Sequence, residues 1–299
     1  NLEPPQFDIS NPIDVARIAR IAETVDADGF DMAYEYWINS ILSGPQTHVA
    51  NITGNALNMA LDMTLQRGTE VAINSTLSAI GQGDADSAQI GEFKHMIHGI
   101  MPGIMDGWKS AQAAWLTETS QFEARVLGTQ MELGGVGKLE NYKTTISGTK
   151  GRIIRIPGRA LFFMDELFKG IIGRIEVGAQ AYRIAKQEGL KGKAMQQRIA
   201  GLVNLVGSDA WVGAVEKAKQ GTFQTDFEEG TTMYKAAQIA FNSKKEARWS
   251  RFIVPFVKTI LNIFAQGVRK SPVGSLNLVT RMAQQGLLTT RGDGSFGAR

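Results

Sequence analysis

The sequence predicts a mainly α protein, an irregular multi-helix bundle with a long central helix and one small β-hairpin. Three observations predict it. Leu161, Met164, Phe168, Ile171, Ile175 and Tyr182 recur at helical spacing between Arg155 and Glu188, the longest uninterrupted helical pattern in the chain. The other apolar segments repeat that period and are punctuated by Gly, Pro and Asn/Asp signals. Only Tyr142–Ile146 and Arg152–Ile156, around Ser147-Gly148-Thr149-Lys150-Gly151, read as paired strands.

In the long helix, Asp165, Lys169, Glu176 and Arg183 fall opposite the apolar stripe, and Asp165 with Lys169 makes a favourable i,i+4 pair. Pro157 sits at its start, where a missing N–H costs little, and Gly189 is the expected C-cap. Its span is about 40 Å at the helical rise.

The remaining elements follow in order. Asn11 and Pro12 open a helix to about Val25. Phe30–Leu42 is an aromatic-rich helix broken by Ser43-Gly44-Pro45, and Thr47 caps the next, through about Gln66, completing a helical hairpin. Asn51, Asn55 and Asn58 place three amides on one face of it, and such a face calls for backbone or interhelix hydrogen bonds. Glu70–Ile80 is a further helix. The Met-rich stretch 86–119 reads as helices interrupted at Gly99 and Pro102-Gly103, with its apolar stripe in the core. Residues 120–141 read as a glycine-rich connector. Beyond the long helix, Ala194–Val206, Asp209–Gln220 and Thr232–Asn242 are helical. Phe252–Val268 is the most hydrophobic segment, too short to span a bilayer and interrupted by Pro255 and Lys258. Asn277–Gln285 leads into a basic, glycine-rich tail. The expected division is 1–140, 141–290 and a tail at 291–299.

The chain of 299 residues has 33 glycines, no cysteine and a net charge of only +3. Without cysteine, disulfides and thiolate metal sites are excluded. The basic excess lies late, which makes Arg152, Arg155, Arg159, Lys244, Lys245, Arg248 and Arg251 candidate contacts to a polyanion. Phe252–Val268 reads as a core helix; in the alternative reading it is an interfacial rather than spanning segment, and Phe252, Phe256, Ile260 and Phe264 are candidate membrane contacts. The opening NLEPPQFDISNP has neither an initiator Met nor a signal-peptide pattern, as expected of a piece of a longer polypeptide.

Motifs for chemistry are few. His95 and His98 share a helix face, but no third ligand stands at a metal-site spacing. Gly134-Gly135-Val136-Gly137-Lys138 lacks both the first Gly and the Ser/Thr of a phosphate loop. Asp165-Glu166 suits a helix start and has no partner for general acid/base work. No catalytic, cofactor-binding or metal-ligating residue is assigned, no cofactor is implied, and the sequence reads as non-enzymatic.

Three ordered blocks carry a resemblance. They are Trp37–His48 (WINSILSGPQTH) continuing through Asn51 and Gly54-Asn55-Ala56; Arg155–Leu161 (RIPGRAL) with Asp165–Lys169 and Ala179–Tyr182; and Phe252–Thr259 (FIVPFVKT) with Asn262-Ile263 and Arg269–Pro272. Together they resemble the large polyvalent, internal virion or DNA-ejection proteins of tailed bacteriophages. Lys258 stands where that pattern has Arg, which keeps the charge. The resemblance implies a helical structural module that helps form a conduit for the genome or accompanies its delivery. Its implied partners are other virion proteins (portal, tail or ejection proteins), further copies of itself, phage DNA and the host membrane. Its implied location is the virion interior and, after ejection, the host envelope. Two other readings fit the residues: a membrane-active module, or a helical spacer beside an enzymatic domain elsewhere in a giant polypeptide.

Overall fold

Asp28 opens the first helix by accepting the Asp31 amide on its carboxylate, 2.9 Å away, and α1 runs Gly29–Leu42. The computed structural model describes residues 27–79, 88–118, 120–127, 145–225 and 256–270, with isolated positions at 8, 18, 81, 235, 239 and 252. Among these residues the structure is helical and contains no strand. Pro45 begins α2, Pro45–Leu61, with Gly44 rather than Thr47 at its N-cap. A single π-helical turn at Asp62–Gln66 joins α2 to α3, Arg67–Ala79. The rest are α4 (Glu92–Thr117), α5 (Gln121–Leu127), α6 (Gly148–Ile154), α7 (Ile156–Gln187), α8 (Gly192–Asn204), α9 (Asp209–Gly221) and α10 (Val257–Lys270). The expected helices at 12–25, 232–242 and 277–285 and the phosphate-loop-like 134–138 lie outside the described residues.

The central helix α7 has 32 residues, and 18 of them are buried. It packs against α4, α9, α8, α2 and α1, so it is enclosed on all sides rather than along one stripe. Phe168, Ile172 and Val177 meet Phe122 of α5, Ile199 and Leu202 of α8, and Trp211 and Val215 of α9 in the main core. Fully burying an aromatic such as Trp211 or Phe122 stabilises by roughly 2–3 kcal/mol. Gly189, at φ +73°, ends α7 as expected, its amide donating to the Lys186 carbonyl while Leu190 donates to Ala185. Those two bonds are the paired closure that a left-handed residue after a helix allows.

The helix α4 is continuous where the sequence reading interrupts it. Pro102 lies inside it and removes one amide, and the helix holds because its other face is locked onto α7. Gly99, Gly103 and Gly107, spaced i, i+4, i+8, form that face. A Cβ at Gly99 would lie 2.7 Å from the Arg174 carbonyl oxygen, and one at Gly107 only 2.5 Å from that of Leu167. From the α7 side, a Cβ at Gly178 would lie 2.7 Å from the His95 carbonyl oxygen. The two backbones therefore approach to a separation that only glycine permits. The Met-rich stretch divides accordingly. Met96 is core, whereas Ile97, Met101, Ile104, Met105 and Trp108 form an exposed stripe.

Two further expectations are corrected. Residues 121–127 of the connector are helix, and Phe122 is a fully buried core residue. The second strand of the β-hairpin is helix as well, forming α6 and the start of α7. Gly148, at φ +72°, turns the chain directly into α6. Arg155 then donates back to the Ile146 carbonyl oxygen at 2.9 Å, closing the α6 turn on itself. This tertiary hold overrides the strand preference of Ile153, Ile154 and Ile156.

Candidate functional site: the buried charges of the central helix

Most of the charged residues of α7 do not face water. Arg159, Asp165, Glu166, Lys169 and Glu176 are all buried, as is Arg155 immediately before the helix. A charge in a dry core must be paired and hydrogen-bonded, and each of these is tied to a segment distant in sequence.

The first group lies where α7 begins. Arg155 donates from Nη1 to Glu35 Oε1 at 2.7 Å and lies 3.4 Å from Glu118. The second oxygen of Glu35 accepts the Thr145 hydroxyl at 2.7 Å and the Thr145 and Ile146 amides. One carboxylate on α1 thus fixes the segment leading into α6. Arg159 donates to the Trp115 carbonyl oxygen, and its guanidinium stacks 4.7 Å above the Trp115 ring. Both arginines were expected as candidate polyanion contacts. Burial in these interactions removes them from that role, and they orient the junction instead.

One turn further, Asp165 Oδ1 accepts the side-chain amides of Asn51 and Asn55, each at 3.1 Å, and Oδ2 accepts Gln224 at 2.9 Å. Asn58 completes the predicted amide face by donating to the Gly221 carbonyl oxygen at 2.8 Å. Burial pushes the Asp165 carboxyl up to about 6, although Asn51, Lys169 and Asn55 favour its ionised form. The expected surface pair of Asp165 with Lys169 is instead two buried groups with separate partners.

Glu166 caps a helix other than its own. Its Oε2 accepts the Gln121 and Phe122 amides at 2.9 and 3.0 Å, and its Oε1 accepts the Ser120 hydroxyl at 2.6 Å. Those amides belong to the first turn of α5, where unpaired donors and the helix dipole favour a carboxylate. Lys169 lies beneath it, completely buried, 2.6 Å from Glu123, 3.3 Å from Glu166 and 3.5 Å from Ser120 Oγ. An ammonium has three donors, and these neighbours match them. Burial pushes the Glu123 carboxyl up, but Lys169 outweighs it and holds Glu123 below its usual range. Burial disfavours the charged form of Lys169, and Glu123 with Glu166 more than reverse this, raising it.

The last group joins α3, α4 and α7. Glu176 receives Arg67, Arg183 at 3.0 Å and Gln180 at 2.9 Å. Glu92 lies 3.1 Å from Arg183 and 3.5 Å from Arg67, and accepts the Gln89 amide. Burial keeps the Glu92 carboxyl above its usual range despite both arginines. A small cavity between Met59, Met63, Met96, Ile175 and Glu176 has room for about one water.

Of the other predicted residues, Arg152 is exposed on α6, while Lys244, Lys245, Arg248 and Arg251 lie outside the described residues. Phe252 packs edge-on to Phe30 and Tyr34, each 5.3 Å away, and 5.0 Å from Trp37. It is partly buried against the aromatic face of α1. Phe256 is half-buried, and Ile260 and Phe264 are exposed on α10. His95 stacks beside Tyr182, and His98 Nδ1 lies within hydrogen-bond distance of the Lys94 carbonyl oxygen. Among the described residues no three His, Asp or Glu side chains are placed to hold a metal ion. The partners Glu35, Arg67, Glu92, Glu118 and Glu123 were not singled out from the sequence, because each finds its charge across more than 20 residues of chain. The chain matches no protein-family model, no curated protein and no solved structure.

Proposed function

We propose that this chain is a non-enzymatic structural module of a tailed-phage internal virion or ejection-type protein, one that helps form a conduit for the genome or accompanies it into the host. The observation that carries the reading is the use of the α7 charges. Groups that act on a substrate sit in a cleft with hydrogen-bonding capacity to spare. Here Lys169, Glu166 and Asp165 spend theirs on fixing α2, α5 and the segment after α9 to one axis. The exposed Met-rich stripe of α4 adds a surface for neighbours in an assembly, since Met adapts to varied partners. The order of the three sequence blocks supports the virion assignment.

The test is mass spectrometry of nuclease-treated, gradient-purified particles of the phage that encodes the chain. Peptides from α4 and α7 at a fixed ratio to the portal protein are expected. Their presence in infected cells together with their absence from particles would refute the assignment.

A further inference from the structure

The helix α10 is seated with its polarity inverted. Asn262 and Gln266 face inward, at 3% and 5% exposure, and donate to the carbonyl oxygens of Thr225 at 3.0 Å and Gln220 at 3.2 Å. These bonds attach the helix by its amide side to the end of α9 and the turn that follows. Ile260, Ile263, Phe264 and Val268, at i, i+3, i+4 and i+8, consequently share the outer face. Ile260 is 57% and Phe264 61% exposed. A helix packed on a protein core ordinarily buries its apolar side, so this face is arranged for something outside the described fold.

Charge selects what that is. Over Val257–Lys270 the helix carries Lys258, Arg269 and Lys270 and no acidic residue. Between residues 244 and 281 the sequence has eight Lys and Arg against the single acidic Glu246, a bias far steeper than the net +3 of the whole chain. An apolar stripe on a basic helix is the pattern of an element lying in the plane of an anionic bilayer, its side chains reaching the acyl boundary and its cations at the headgroups. At about 1.5 Å per residue its 14 residues are too short to cross a bilayer, and no helix among the described residues is long and apolar enough to do so. We infer that the Ile260–Ile263–Phe264–Val268 face of α10 is a docking surface for an anionic phospholipid membrane, gripped in the plane of the interface. This rests on the geometry of α10 and holds whether or not the chain is packaged in a virion.

The experiment is co-flotation of the full chain with vesicles of phosphatidylcholine alone or with 30% phosphatidylglycerol (about a third anionic, enough for a basic patch to respond). Expected are binding to the anionic vesicles, at least tenfold weaker binding to neutral ones, and weakening in about 0.5 M salt, where screening is strong. Phe264→Asp should abolish flotation with unchanged circular dichroism, and Met101→Asp on α4 should leave it intact. Because the chain has no cysteine, Ile263→Cys carrying an environment-sensitive dye gives a readout in a near-native fold. Its emission should shift to the blue on anionic vesicles only. Absence of flotation, equal flotation with neutral vesicles, or a dye that stays water-exposed on bound vesicles each overturns the proposal. So does concentration-dependent self-association, without flotation, that Phe264→Asp removes, which would assign the face to a second copy.

Discussion

Replacing Lys169 by Met tests the reading of the α7 charges at its tightest point. The substitution keeps the length and apolar stem and deletes an ammonium that lies 2.6 Å from Glu123 and 3.3 Å from Glu166 with no exposure to water. Glu166 retains the Ser120 hydroxyl and two α5 amides. Glu123 retains a distant Lys219 at 3.9 Å, since the single Ser120 proton goes to Glu166 at 2.6 Å rather than to Glu123 at 3.3 Å. Two buried carboxylates are thereby left largely unneutralised. Breaking one side of a buried pair costs about 3–5 kcal/mol, and in a chain of this size that lowers the melting temperature by about 10 °C. The assay is thermal unfolding followed by far-ultraviolet circular dichroism across pH. Without the cation, burial is left to push the Glu123 carboxyl above its unfolded value. The folded state then binds more protons than the unfolded one, so the deficit shrinks as pH falls from 7 towards about 4.5. A loss below about 1 kcal/mol at pH 7, or a deficit that grows on acidification, would refute the reasoning.

Other predictions follow from neighbouring features. Gly107→Ala pushes a Cβ to within 2.5 Å of the Leu167 carbonyl oxygen and should cost about 2 kcal/mol despite the better helix propensity of Ala. Gly201→Ala, with open space around the added carbon, should instead stabilise by about 0.5–1 kcal/mol, and urea denaturation distinguishes the two. Asp165, with a folded-state value of about 6 against an ordinary 3.8, favours the folded state as pH falls through 6 and forfeits about 3 kcal/mol above it. Asp165→Asn should therefore flatten the stability profile between pH 4 and 6, and an unchanged slope there would remove Asp165 as its source.

Much of the fold was legible in local sequence. The apolar period of α7, its Gly189 terminator, the α1–α2 corner at Gly44-Pro45 and the amide face of α2 are short-range signals, and each corresponds to what the structure contains. Long-range physics accounts for the rest. Pro102 and the glycines of α4 resemble breaks when their helix is considered alone, and they are tolerated because α7 lies against them. The β-branched residues of 152–156 favour a strand until Arg155 and Glu35 are brought together. The burial of Asp165, Lys169 and Glu176 had one available signal. A long helix with glycine at 158, 170, 173 and 178 has small residues on several faces, which suits enclosure on all sides rather than a solvated back. Identifying their partners required the tertiary fold.

The central claim is that these buried charges hold the module together and perform no chemistry. The most direct test is the paired replacement Glu123→Leu with Lys169→Met, read by unfolding of the chain and, under the proposed virion assignment, by particle content and plaque titre. Well-packed apolar groups can substitute for a buried ion pair at little cost, and Glu166 keeps the Ser120 hydroxyl and two α5 amides, so the paired variant should recover most of the stability that Lys169→Met alone loses, enter particles in parental amount and leave the plaque titre unchanged. A paired variant that folds and is packaged normally while the titre collapses would contradict the claim, because the charges would then be serving a step beyond structure.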